Sequence, residues 1–139
     1  MRAVVQRVTR ASVAVAGETV AEIGPGMLVL LGVGHTDSDE TADRLAAKLL
    51  ALRIFADAQG RMNDALGERE VLCVSQFTLY ADTSRGNRPS FVEAAAAAPA
   101  NALYERVCEQ LGAARGRFGA QMAVELVADG PVTILLEVT

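Results

Sequence analysis

An α+β fold is what the sequence predicts: a mixed, curved, barrel-like sheet with two main helices packed against it, in a single domain over residues 1–139. Three observations predict it. Met27-Leu28-Val29-Leu30-Leu31-Gly32-Val33 and Val71-Leu72-Cys73-Val74 are unbroken apolar runs, too short to cross a membrane, and they leave no polar side for water. Each therefore reads as a strand buried on both faces. Apolar residues recur at spacings of three and four from Ala42 to Leu52 and from Leu103 to Leu111, the pattern of amphipathic helices. No linker or internal repeat interrupts the chain, and a length of 139 residues suits one compact unit.

From the start, Ala3 to Ile23 alternates and turns like a β-meander. Ala3-Val4-Val5 starts a strand, Ala11 to Val15 gives a second and Thr19 to Ile23 a third, with Gly17-Glu18 as a tight turn. Gly24-Pro25-Gly26 is a strong turn before the first apolar run. Asp37, followed three residues later by Glu40, has the form of a capping box and predicts the start of the first helix. Ala42, Leu45, Ala46, Leu49 and Leu52 share its buried face, and Asp43, Arg44 and Lys48 face away.

Arg53-Ile54-Phe55 leads into a short strand, Asp57-Ala58-Gln59-Gly60 is a turn, and Asn63 to Arg69 reads as loop. The alanines Ala94 to Ala98 beside Pro99 fit a helix entry, because proline is tolerated in a first turn. Leu103, Val107 and Leu111 mark the buried side of this second helix, which Gly112 ends. Two more strands follow, Met122 to Val127 and Val132 to Val138. Between them Asp129-Gly130 is a hairpin signal, yet the next residue, Pro131, cannot donate to a ladder. Gly130-Pro131 is accordingly a candidate cis peptide.

Composition excludes some functions. The chain is 51% hydrophobic and 4% aromatic, so its core is built mostly from aliphatic side chains. A net charge of −4 argues against a protein that clamps long duplexes, whose affinity comes from neutralising phosphates, and no DNA or membrane partner is expected. Gripping a short nucleic-acid end with a few arginines remains open. Cys73 and Cys108 have no second Cys or His nearby at ligand spacing, and read as reduced core thiols. No metal or other cofactor is expected, and the N-terminal residues lack the apolar segment of a signal peptide, which points to the cytoplasm.

Chemistry concentrates at Ser75-Gln76-Phe77-Thr78-Leu79-Tyr80, where the second apolar run turns polar. These polar side chains either bond neighbouring backbone as the strand leaves the core, or wait for a ligand. The loop Arg85-Gly86-Asn87-Arg88-Pro89-Ser90-Phe91 follows closely, and loops on rigid elements commonly carry contacts. His35, the only histidine, sits in a loop with no motif partner to orient it as a base.

Taken with Gln6-Arg7-Val8-Thr9-Arg10-Ala11-Ser12-Val13 and Gly130-Pro131-Val132-Thr133, these blocks resemble the D-aminoacyl-tRNA deacylases, in the family's order and over essentially the whole chain. Two departures stand out. Ala128 replaces a usual Asn, and the loop from Asn63 to Arg69 is short and lacks its Gly pair.

The resemblance implies a fold of that family and a homodimer. It implies hydrolysis of the ester joining a D-amino acid to the terminal adenosine of tRNA, with glycine on tRNA as a secondary substrate. It further implies that Gly130-Pro131 is cis and projects its carbonyls into the active site of the other subunit as a chirality filter, oriented by Arg7. On the same basis Gln76, Phe77 and Thr78 are the catalytic group, and Ser75, Val132, Thr133, Phe118 and Met122 join Gly130, Pro131 and Arg7 in binding substrate. Arg85, Arg88 and Arg117 are the expected tRNA contacts.

For the chemistry, Thr78 as nucleophile competes with a substrate-assisted route in which backbone N–H groups near Gln76, Phe77 and Thr78 hold the oxyanion. Two other functions compete with deacylation of D-aminoacyl-tRNA. One is a noncatalytic module that binds the tRNA 3′ end or a D-amino acid; the other is an editor of L-alanyl-tRNA with a trans Gly-Pro bond.

Overall fold

A computed structural model describes all 139 residues. The elements in order are β1 (Arg2–Val15), β2 (Glu18–Ile23), β3 (Gly26–Gly32), α1 (Asp39–Ala51), β4 (Phe55–Ala56), β5 (Met62–Asp64), β6 (Glu70–Ser75), a 3-10 turn (Phe77–Tyr80), α2 (Ala97–Leu111), β7 (Ala114–Arg115) and β8 (Ala123–Glu137). The main sheet runs β2-β1-β3-β6-β7, with β8 also on β1, and mixes antiparallel pairs with the parallel pairs β3–β6 and β6–β7. The α+β class and the mixed sheet expected from the sequence are both present.

β1 is one long strand, not the two short ones expected. The segment Gln6 to Arg10 is polar enough to look like a turn, yet its backbone is paired. One edge of β1 is divided between β3, from Arg2 to Val8, and β2, from Ala11 to Val15. Its other edge carries β8 along nearly the whole length. β8 is likewise continuous, with Asp129-Gly130-Pro131 inside it, so the hairpin signal is overridden. Both chain directions are already fixed by pairing with β1, and irregularities in register at Val8 absorb the extra residues.

Strand alternation builds two cores. Val29, Leu31, Val71 and Cys73 point to the side covered by both helices, where they meet Leu45 and Leu49 of α1 and Leu103, Val107 and Leu111 of α2. Leu28, Leu72 and Val74 point the other way, into the curl of the sheet, and meet Val8, Val13 and Ile23. This explains why the two apolar runs show no alternation: each strand has a core on both faces. The buried, free Cys73 and Cys108 lie on the helix side, as expected. Their thiols hydrogen-bond each other, and that bond together with burial pushes the Cys73 thiol up from its ordinary range.

The start of α1 differs from the sequence reading. Ser38 is the N-cap and forms the capping box with Thr41, whose hydroxyl accepts from the Ser38 amide at 2.6 Å. Asp37 is unavailable for that role because its carboxylate takes the Met1 amino group at 2.6 Å and the Gly34 amide at 2.7 Å. α1 and α2 are tied together by Arg106, which bonds both carboxylate oxygens of Asp43 at 2.7 and 2.9 Å. That pairing, helped by Gln110, holds the Asp43 carboxyl down at about 2.

The helix periodicity makes a contrast that can be measured. Leu45 is fully buried on the inner face of α1 and Leu50 is 41% exposed on the outer one. Urea denaturation is expected to show Leu45→Ala losing about 2–5 kcal/mol of stability, from transfer and cavity costs. Leu50→Ala is expected to stay within about 0.5 kcal/mol of the wild type.

Candidate active site

The polar stretch after β6 leaves the sheet sooner than its sequence suggests. β6 ends at Ser75, and the Gln76 N–H makes a last bond to the Leu31 carbonyl at 2.7 Å. The chain then winds into the 3-10 turn, in which the Leu79 amide bonds the Gln76 carbonyl at 3.2 Å. None of the turn residues is buried, and Phe77 is 58% exposed. The polar side chains therefore line a surface, not a core. The amides opening a helical turn have no acceptor within it, so those of Phe77 and Thr78 belong to the free end of the turn.

Two hollows meet at this turn. A cavity of about 240 Å³ lies on the helix side, between Ser75-Gln76-Phe77, Leu31 and Val33 below, and Ala95, Ala97, Ala100, Tyr104 and Phe118 above. A second, more polar one of about 380 Å³ lies between Ser75-Gln76-Phe77 and Gly119, Gln121, Met122 and Val124. Ser75, Gln76, Phe77, Phe118 and Met122 thus come together around these two hollows. The lining from Ala95 to Ala100 and from Tyr104 was missed. Small alanines leave the space open, so the run that reads as a helix entry also shapes a cavity.

Gln76 donates its side-chain amide to the Thr78 hydroxyl, a contact that fixes both side chains on the exposed face. His35 is occupied elsewhere: its Nε2 lies 3.0 Å from a Glu93 carboxylate oxygen, and half of its side chain is exposed. No group of three or more His, Cys, Asp or Glu side chains stands close enough to hold a metal ion. Phe91, from the loop Arg88-Pro89-Ser90-Phe91, packs edge-on against Phe77 with ring centroids 5.0 Å apart. Asp82 and Ser90 close that loop with a pair of backbone bonds at 2.8 and 2.9 Å. Arg85 and Arg88 are exposed on it beside Asp82 and Glu93, and Arg117 is exposed next to Phe118.

The remaining residues of the sequence reading stand apart. Gly130-Pro131 is cis, and Gly130 has φ +122°. A Cβ there would lie 3.0 Å from the Val132 amide and side chain and 3.1 Å from an Arg7 guanidinium nitrogen, so Arg7 is packed directly on this glycine. Arg7 donates to the Asp129 carbonyl at 3.2 Å and to the Ile54 carbonyl at 2.7 Å, and pairs with the Asp129 carboxylate. It grips the peptide just before Gly130, not the carbonyls of Gly130 and Pro131 themselves. Val132 is half-buried against the core, and exposed Thr133 donates its hydroxyl to Gln6 at 2.7 Å.

Arg7 sits opposite Met27, and Gln76 bonds Leu31. Four residues of β3 separate those two positions, about 13 Å at 3.3 Å per residue. Gly130 thus packs on an arginine near one end of β3, and the turn that carries Gln76 and Thr78 is tied to the other.

A small α+β protein with a nearly closed mixed sheet and a surface site lacking metal ligands and an acid–base dyad defines the class. Its sequence then places it further. The family model described as D-Tyr-tRNA(Tyr) deacylase matches residues 4–137. The chain is 56% identical, over 99% of its length and 94% of the relative's, to a D-aminoacyl-tRNA deacylase of Dehalococcoides mccartyi. It is 54% identical to that of Deinococcus radiodurans, over 99% of this chain and all of the relative. Among solved structures, the c-Myc DNA unwinding element binding protein superposes with a TM-score of 0.93 at 43% identity, covering 99% and 98% of the two chains. A probable eukaryotic D-amino acid tRNA deacylase superposes at 0.82 with 18% identity, covering 97% of each chain, which shows the shared fold. The chain belongs to the D-aminoacyl-tRNA deacylase family.

Proposed function

We propose that this chain clears D-amino acids from tRNA at a site shared between two copies of itself. Membership of the family makes it a D-aminoacyl-tRNA deacylase, a hydrolase of the ester at the tRNA 3′ end. The shared site rests on one observation: the turn at Gln76-Phe77-Thr78 and the Arg7 that packs on Gly130 lie toward opposite ends of the β3 register. A second protomer supplies what the first cannot bring. The exposed surface suits such a pairing, since β8 pairs only with β1 and exposes Leu135 (76%), while Phe77 is exposed at the turn.

In this reading the carbonyls of Gly130 and Pro131 of one protomer wall off one side of the α-carbon in the other protomer's site. An L side chain collides with the wall and a D side chain points away from it. Glycine carries only hydrogens there and passes, so glycine on tRNA is a second substrate. The two hollows beside Gln76-Phe77 receive the two halves of the ester, its terminal adenosine and its aminoacyl group. Arg85, Arg88 and Arg117 meet phosphates near the 3′ end, an attachment that weakens only gently with salt. DNA is not proposed as a partner, given the net charge of −4.

The arrangement of Thr78 favours the substrate-assisted route. Its hydroxyl is hydrogen-bonded by the Gln76 amide, a donor that cannot take a proton, and the only histidine is held by Glu93. Water therefore attacks an ester already activated by the neighbouring ribose hydroxyl, and the amides of Phe77 and Thr78 hold the oxygen that becomes negative. The carbon–oxygen ester bond then breaks, leaving the free amino acid and the ribose hydroxyl.

Three measurements test this function. Purified protein given D-tyrosyl-, L-tyrosyl- and glycyl-tRNA is expected to release D-tyrosine and glycine and to leave the L-ester intact; equal hydrolysis of both enantiomers removes the filter, and none at all leaves only a binding module. Thr78→Ala is expected to keep kcat within about tenfold, whereas a covalent route demands a loss of about 10⁴ or more. Gln76→Ala, inactive alone, and Gly130→Ala, unselective alone because a side chain is strained at φ +122°, are expected to form D-selective sites when unfolded and refolded together. Random pairing restores about a quarter of the intact sites, and a site confined to one protomer restores none.

A further inference from the structure

The turn carrying Gln76 and Thr78 is held at its far end by residues that take no part in the proposed chemistry. Arg2, at the start of β1, donates from Nη1 to the Leu79 carbonyl at 3.0 Å, and its guanidinium lies 4.5 Å from the centre of the Tyr80 ring. Tyr80 fills a notch at the end of β3 that only glycine leaves open: a Cβ on Gly34, just past the strand, would lie 2.9–3.0 Å from its ring and hydroxyl, and one on Gly32 would press on Leu79 and the Gln76 carbonyl at 3.0 Å. The tyrosine hydroxyl rests 3.5 Å from the Asp37 carboxylate, a contact at the edge of hydrogen-bond length. The other end of the turn has one backbone anchor, the Gln76 amide on Leu31, with the Phe77 ring set against Phe91. The backbone of Phe77 and Thr78 is suspended between these attachments.

We infer that Arg2, acting through Leu79 and Tyr80, is a positioning residue for deacylation: it clamps the 3-10 turn onto β3 and so fixes the amides and side chains from Gln76 to Thr78 against the ester. This rests on the placement of the reacting ester at that turn. The clamp contributes to the transition state and not to docking of tRNA, because Arg2 touches the turn's C-terminal end and directs its Nε–H to Glu137, at 3.4 Å. A short 3-10 turn with poor internal bonds depends on such outside ties to keep its geometry. A small displacement of oriented groups is enough to slow a reaction that relies on positioning.

The test is steady-state kinetics on D-tyrosyl-tRNA with six variants and a thermal melt of each. Arg2→Ala is expected to lower kcat by about ten- to hundredfold with KM within about twofold. Arg2→Lys, which still reaches the Leu79 carbonyl as a donor, is expected to recover part of that loss. Glu137→Ala removes the Arg2 ion pair at the sheet edge without touching the turn, and is expected to leave kcat unchanged. Tyr80→Ala is expected to lower kcat similarly, and adding Arg2→Ala to it is expected to cost less than the product of the two single losses. Gln76→Ala is the reference for the site itself. A wild-type rate in Gln76→Ala overturns the site on which the clamp depends. A large loss in Gln76→Ala beside a normal kcat in Arg2→Ala overturns the clamp alone. A loss in Arg2→Ala that falls on KM and shrinks as salt is raised also overturns it, assigning Arg2 to a phosphate instead.

Discussion

The parallel ladder between β3 and β6 decides where every group at the site can stand. Its register runs from Gly26 opposite Glu70 to Leu31 opposite Ser75, and the Gln76 amide closes it on the Leu31 carbonyl. Beyond that bond come Gly32, the last residue of β3, and Gly34 just after it, whose bare backbone lets the chain fold over the strand end instead of extending along it. The polar turn therefore sits at the carboxyl ends of two buried strands, where rigid elements present a short irregular segment to solvent. Both cores brace the ladder, one through Val29 and Cys73, the other through Leu28 and Leu72.

Much of this was legible in the sequence because the burial of β3 and β6 is so complete. Apolar runs covered on both faces cannot be mistaken for half-exposed strands, and the spacing of Leu45, Ala46 and Leu49 reports α1 directly. The failures share a cause: local signals were outvoted by pairing. Gln6 to Arg10 and Asp129-Gly130 each carry the chemistry of a break, but antiparallel pairing with a partner as long as themselves keeps β1 and β8 continuous. Asp37 has the right side chain and spacing for a cap, and loses that role to Ser38 because the Met1 amino group claims its carboxylate. That competitor lies 36 positions away in the chain, beyond any local pattern.

The expected site residues divide in the same way. Motifs named the residue types, and the ladder then sorted them into a group around Gln76 and a group around Gly130. Nothing in the order of residues indicates that the two groups are kept apart by four positions of β3. Arg2 was invisible for a related reason. A single arginine at the head of a strand has no motif, and its tie to Leu79 spans 77 positions.

The division into two groups bears on how selectivity and rate are separated in the proposed function. Arg7 holds the peptide before Gly130 through the Asp129 carbonyl, while the Ile54 carbonyl takes another of its donors. The carbonyls that follow are left for whatever approaches that surface. The turn at Gln76 to Thr78 has its own supports, the Leu31 carbonyl at one end and Arg2 with Tyr80 at the other. No side chain braces both groups. A wall that must reject a side chain needs stiffness, whereas a cradle for an oxyanion needs correctly aimed amides, and each is supplied by a different part of the sheet. In the proposed shared site the wall would meet the cradle only on assembly, and an unpaired chain would carry the amides without the filter.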